Sequence, residues 1–124
     1  MSSMRSAVEE MRARDVAALP NAALEEDFAE LQLVSEQLEA ERLRLLGEIN
    51  RRRTFERDGF LSTAAWLVAM FRMAWSEAGR QVRMARELER MPRTREALAA
   101  GDISVSAAWV LVSARHSNPE EFER

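Results

Sequence analysis

The sequence predicts an all-α protein, a multi-helix bundle with one long N-terminal helix and a helix-turn-helix-like C-terminal part. Three observations carry this. Ala, Leu, Arg, Glu and Met dominate the 124 residues, and these side chains lose little rotamer freedom in a helix. Apolar residues recur at spacings of three and four, and no stretch alternates as a strand would. Capping residues, Pro and Gly punctuate the chain at helix-length intervals.

Residues 1–20 form a weakly helical segment in which Met4, Val8 and Met11 share a face. Pro20 breaks it, and residues 21–124 read as the helical domain. Asn21 is read as an N-cap, with Glu25, Glu26 and Asp27 in or near the first turns, where the helix dipole favours anions. A helix from about Ala22 to Arg53 follows. Leu24, Phe28, Leu31, Val34, Leu38, Leu45, Leu46 and Ile49 fall in one stripe, Gly47 allows close packing or a bend, and Arg51, Arg52 and Arg53 crowd the C-terminus. Its length of roughly 48 Å exceeds the width of a small domain.

Asp58-Gly59 marks a turn. Ser62 or Thr63 caps the next helix, which carries Trp66, Leu67, Met70, Phe71 and Met73. It is apolar almost all round, so it reads as the central buried helix. Ser76-Glu77 caps a further helix running to Met91, and Pro92 ends it. Thr94 caps a short helix that Gly101 stops. Ser104 caps the last one, which holds Ala107, Ala108, Leu111, Val112 and Ala114 beside Trp109. Asn118-Pro119-Glu120-Glu121 then reads as a helix start. A start so close to Arg124 implies a domain truncated at its C-terminal end, which would bare apolar surface around Trp109, Leu111 and Val112.

The composition excludes several kinds of chemistry. There is no Cys and a single His, His116, at a predicted helix end, so Cys/His metal sites and thiol catalysis have no basis. No phosphate loop or nucleophile elbow occurs. We therefore expect no enzyme activity, no metal, no cofactor and no small-molecule ligand. The longest mostly apolar run, Ala64 to Trp75, is far shorter than the roughly 20 residues of a membrane span, and no signal peptide is visible, so a cytoplasmic location is expected.

Charge singles out one region. Residues 1–50 hold 11 acids and 5 bases, whereas residues 51–124 hold 10 acids and 13 bases. All 18 basic residues are Arg, which fits either GC-rich codon usage or selection for phosphate-binding guanidinium forks. On the helix from Ser76 to Met91, Arg83, Arg86 and Arg90 lie within about 60° of one another, with Arg80 about 60° further round and Arg93 just beyond. Two readings stand. The face is solvated with Arg83 paired to Glu87, or Arg80, Arg83, Arg86, Arg90 and Arg93 contact phosphates. The order of helices across residues 76–115 permits a helix-turn-helix, yet the last helix offers Ser106, Ser113 and little else to read bases.

A longer pattern is more specific. Residues 42–53, Arg-Leu-Arg-Leu-Leu-Gly-Glu-Ile-Asn-Arg-Arg-Arg, run into Asp58-Gly59 and Ser62-Thr63-Ala64-Ala65-Trp66-Leu67. Ala78, Val82, Ala85, Leu88, Met91-Pro92, Thr94 and Ala97-Leu98-Ala99-Ala100-Gly101-Asp102-Ile103-Ser104 follow. Over about residues 22–124 this resembles the 13E12-repeat family, also called domain of unknown function 222, common in actinobacteria. The resemblance implies an all-helical domain that precedes an HNH endonuclease module. This chain carries no HNH motif, so nuclease activity is not implied for it. The region from Ser76 to Leu111 is also similar in pattern to the helix-turn-helix of ParB-like DNA-binding proteins. Where the family has a Gly-Leu-Ser turn before the fourth helix, this chain has Arg72-Met73-Ala74. The cap then shifts to Ser76, or two helices fuse. The reading is a non-catalytic accessory domain that engages DNA; the alternative is an oligomerisation module with Leu24 to Ile49 as its seam. A homo-oligomer is expected in either case.

Overall fold

A computed structural model describes residues 2–117, and among these there are helices and no strands. The helix start expected at Asn118-Pro119 lies outside the described residues. Two compact units divide the chain, residues 1–32 and residues 33–124.

The first unit contains α1 (Ser2–Arg12), a 3-10 turn at Val16–Ala18, and the beginning of α2 (Asn21–Arg52). Asn21 is already helical, and the Pro20 carbonyl accepts from the Leu24 N–H at 3.1 Å, so Pro20 holds the cap position expected for Asn21. Arg14 donates to Asp27 at 2.5 Å. Met4, Val8, Met11, Leu24, Phe28 and Leu31 are all exposed.

The second unit is a bundle of the rest of α2 with α3 (Thr63–Phe71), α4 (Trp75–Leu88), α5 (Pro92–Ala100) and α6 (Val105–Ser117). Within it α2 docks through Ala40, Leu43, Leu46 and Gly47, a face that overlaps the expected stripe only at Leu46. Val34, Leu38 and Leu45 of that stripe stay exposed. Gly47 serves close packing. A Cβ there would stand 2.5 Å from the Glu89 carboxylate and 3.5 Å from the Ala85 carbonyl.

The central helix is α4, not α3. Ala78, Met84, Ala85 and Leu88 are buried, and α4 packs against α3, α5 and α6. On α3 only Thr63 and Leu67 are buried, while Met70 and Phe71 are exposed. An all-apolar sequence does not bury a helix that has neighbours on one side only. The α3 start follows expectation, because the Ser62 hydroxyl accepts from the Ala65 N–H at 3.0 Å. Thr63 donates to Asn50 at 2.6 Å and ties α3 to the end of α2.

Between α3 and α4 the helices neither fuse nor recap at Ser76. Arg72 takes the left-handed conformation (φ 55°) and ends α3, and α4 begins at Trp75 behind Ala74, which supplies no side-chain cap. A left-handed non-glycine residue costs roughly 1–2 kcal/mol.

The later boundaries also shift. Helix α4 ends at Leu88, before Met91, with tightened bonds from the Arg90 and Met91 N–H groups to Glu87 and Leu88. Pro92, which lacks the N–H a first-turn residue leaves unused, opens α5, so Thr94 is a buried residue inside that helix and not its cap. Gly101 (φ 82°) closes α5, and a Cβ there would collide with Leu33. Val112 is fully buried and Trp109 and Leu111 are half-buried, so the apolar surface expected around them is bare only in part, chiefly at the exposed Val110.

Candidate nucleic-acid interface

Helix α4 divides its sides cleanly. Ala78, Met84, Ala85 and Leu88 point into the bundle, while Arg83 and Arg86 are exposed on the other side. Arg90 is exposed in the turn just beyond the helix, whose αR-like backbone carries the same face onward. Among the described residues none of these three makes a side-chain hydrogen bond or ion pair. Arg5, Arg57 and Arg72 are likewise exposed without a side-chain partner among the described residues, but they are scattered over other elements and do not share a face. Arg42, Arg44, Arg51 and Arg52 each face a glutamate three or four residues earlier.

The other two arginines of the expected set are engaged within the chain. Arg80 reaches Glu77 at 3.3 Å and lies over the Trp109 ring, 5.4 Å from its centroid, so it turns toward α6. Arg93 is exposed but also takes part in an interaction inside the chain.

The Arg83–Glu87 pair does not form. Glu87 is buried, with 7% of its surface exposed, and its carboxylate accepts from Arg115 of α6 at 2.7 Å. Helical spacing points to Arg83 as its partner; the bundle supplies Arg115 from 28 residues away. The pair cross-links α4 to α6 and leaves Arg83 without a counterion. No local signal announces this, since the partner is distant in sequence.

A second carboxylate matters as much. Glu36 of α2 accepts from the Val105 N–H at 2.6 Å, and the Ser104 hydroxyl accepts from the Ala107 N–H at 3.0 Å. The N-terminus of α6, where a recognition helix would meet a phosphate, is thus already occupied by an anion. Glu39 and Glu77 line a groove of about 310 Å³ beside it, together with Arg80, Gln81 and Trp109. The Gln81 amide, and after it the Arg80 guanidinium, hold the Glu77 carboxyl below its ordinary range against the opposing effect of burial. A carboxylate-rich border of this kind repels phosphate, so the surface suited to an anion is the Arg face of α4. Of α6 itself, Ser106 is exposed and Ser113 only half so.

The family profile described as "Domain of unknown function (DUF222)" matches residues 25–122. The chain belongs to that family. The match spans nearly all of α2 and the whole of α3 to α6, so the Arg face and the Glu87–Arg115 link both lie inside the DUF222 region. No curated protein and no solved structure matches the chain. Among the described residues of this DUF222 chain, no group of three His, Cys, Asp or Glu could hold a metal ion, and no helix is long and apolar enough to cross a membrane. His116 falls in the last turn of α6, as the sequence predicts for its backbone.

Proposed function

We propose that this DUF222 chain is a non-catalytic helical accessory domain that engages the DNA backbone, in the context of an HNH-endonuclease-type protein. The observation that carries this reading is the trio Arg83, Arg86 and Arg90, exposed and without counterions in a chain that pairs many of its other arginines. A guanidinium offers phosphate two parallel hydrogen bonds, and a free one needs no carboxylate to be displaced first. The carboxylate at the start of α6 and the scarcity of base-reading groups on that helix favour contact with the backbone over reading of sequence.

The test is a titration of short duplex DNA at several salt concentrations. Three phosphate contacts give a log–log salt slope of about −2.7, and binding at low salt should lie in the range of about 10–100 μM and depend little on sequence. Arg83→Ala and Arg86→Ala should each lower the slope by about one unit and leave helicity unchanged. Arg80→Ala should leave the slope unchanged. Absence of binding by folded protein at low salt would remove the reading.

A further inference from the structure

The outer side of α4 carries more than its arginines. At about 100° per residue, the sector of about 80° that holds Arg83, Arg86 and Arg90 holds two further residues, Trp75 and Gly79. No acid falls inside it. The nearest on either side are Glu87, which is turned inward to Arg115, and Glu89, which leans toward Arg51 of α2 at 3.7 Å. Trp75 is 63% exposed, although a buried indole contributes more to a core than most side chains. Phe71, 60% exposed at the end of α3, stands across the Arg72–Ala74 turn with its ring edge-on against Trp66, 5.3 Å between centroids. Arg72 between the two exposed rings has no side-chain partner among the described residues.

Gly79 is the second sign. Of the four glycines, Gly59 and Gly101 take positive φ, and Gly47 sits against Glu89 and Ala85. Gly79 does neither. Its backbone is helical, and a Cβ there would meet nothing within 4 Å. A helix interior disfavours glycine, so nothing in the bundle accounts for this one. Helical side chains slant toward the N-terminus, so one at position 79 would lie over the surface beside Trp75. Its absence leaves an indole face open at the head of the arginine row.

We propose that this row takes single-stranded nucleic acid, with an unpaired base stacked on Trp75 and the phosphates that follow it on Arg83, Arg86 and Arg90. The inference rests on the backbone contact proposed above and adds which form of nucleic acid the site takes. Charge and shape select the occupant together. Guanidiniums without counterions suit an anion, and an exposed indole suits a flat apolar partner. A single strand offers both in alternation along one chain. A duplex keeps its base faces inside the stack, whereas an unpaired base presents its face to an aromatic side chain. Trp75 and Arg90 lie about 22 Å apart along the helix axis, which leaves room for several nucleotides.

The test is a fluorescence-anisotropy titration of the full chain with a labelled single strand of about 12 nucleotides, and with the duplex of the same sequence. The single strand should bind tighter. Trp75→Ala should weaken single-strand binding by roughly 10-fold and leave the salt slope unchanged, because a ring and no charge is lost. Trp75→Phe, which keeps a ring, should recover most of the affinity. Arg86→Ala should lower the slope by about 0.7, the single-strand value per phosphate. Gly79→Leu should weaken single-strand binding by covering the indole, with thermal melts showing the fold unimpaired, since its Cβ enters open space. Duplex binding with a single strand that binds no tighter and a silent Trp75→Ala overturns the stacking and leaves the phosphate contacts standing. Binding of neither overturns both. Tryptophan emission that shifts with anionic phospholipid vesicles in wild type and not in Trp75→Phe, without response to the oligonucleotide, assigns the surface to a membrane and likewise overturns the proposal.

Discussion

Helices α2 and α4 both carry arginines and both pack into the same bundle, yet their outer surfaces differ. Helix α2 shows leucines to solvent and neutralises its arginines with glutamates one turn earlier. Helix α4 shows arginines to solvent and sends the glutamate that could neutralise Arg83 inward, to Arg115. A count of arginines therefore does not describe a surface. What a helix offers a partner depends on where its acids go, and the tertiary fold decides that.

The contrast breaks most visibly at Arg115. Removing the guanidinium leaves the buried Glu87 carboxylate alone in the interior, so Arg115→Ala should destabilise the chain by roughly 3 kcal/mol, read by chemical denaturation. A loss below about 1 kcal/mol would show that Glu87 can swing out to Arg83, and the two helices would then differ less than described. Glu87→Gln with Arg115→Met should recover much of the loss, because no unpaired buried charge remains.

A smaller effect is expected on the inner side of α2. Gly47→Ala meets the far end of the flexible Glu89 side chain, which can move aside. The helix propensity of Ala then adds up to about 1 kcal/mol of stability, less the weak Arg51–Glu89 contact at 3.7 Å. Destabilisation in thermal melts would mean that the Glu89 carboxylate is held in place, and that the approach of α2 to α4 is tighter than a movable side chain allows.

The least effect comes from pH at the first turn of α4. The Glu77 carboxyl is held below its ordinary range by Gln81 and then Arg80. A depressed folded-state value means the unfolded chain takes up the proton first. The stabilisation is therefore present above the unfolded-state value and is lost as pH falls through the folded-state one. Glu77→Gln should flatten the acid limb of the stability curve slightly, as a urea series at descending pH would record. An unchanged limb would detach Glu77 from the Arg80–Trp109 contact.

How much of this was legible in the sequence follows from the range of each interaction. The Ser62 and Ser104 caps and the Gly101 stop were readable because donor and acceptor lie within one turn of each other. The number and order of the main helices were readable for the same reason. Which helix lies at the centre is not legible, because hydrophobicity records what a segment tolerates, whereas burial depends on how many neighbours surround it; α4 packs against α3, α5 and α6, and α3 is open on one side. The apolar stripe of α2 was visible, but its amplitude does not tell which side the chain uses itself. In the candidate site the grouping of Arg83, Arg86 and Arg90 came from helical spacing. Their lack of partners did not, because it depends on a glutamate bound 28 residues away. Arg80 was grouped with them by angle and leaves them because Trp109, from another helix, offers a ring face.

The bond from Val105 to Glu36 has a kinetic consequence. The first amides of a helix have no partner within it and normally exchange their hydrogens with water rapidly. The Val105 amide is held instead by a side chain 69 residues earlier, on α2. Its exchange rate is therefore a clock on the docking of α2 rather than on the fraying of α6. One peptide position reports how often the long helix lifts from the bundle.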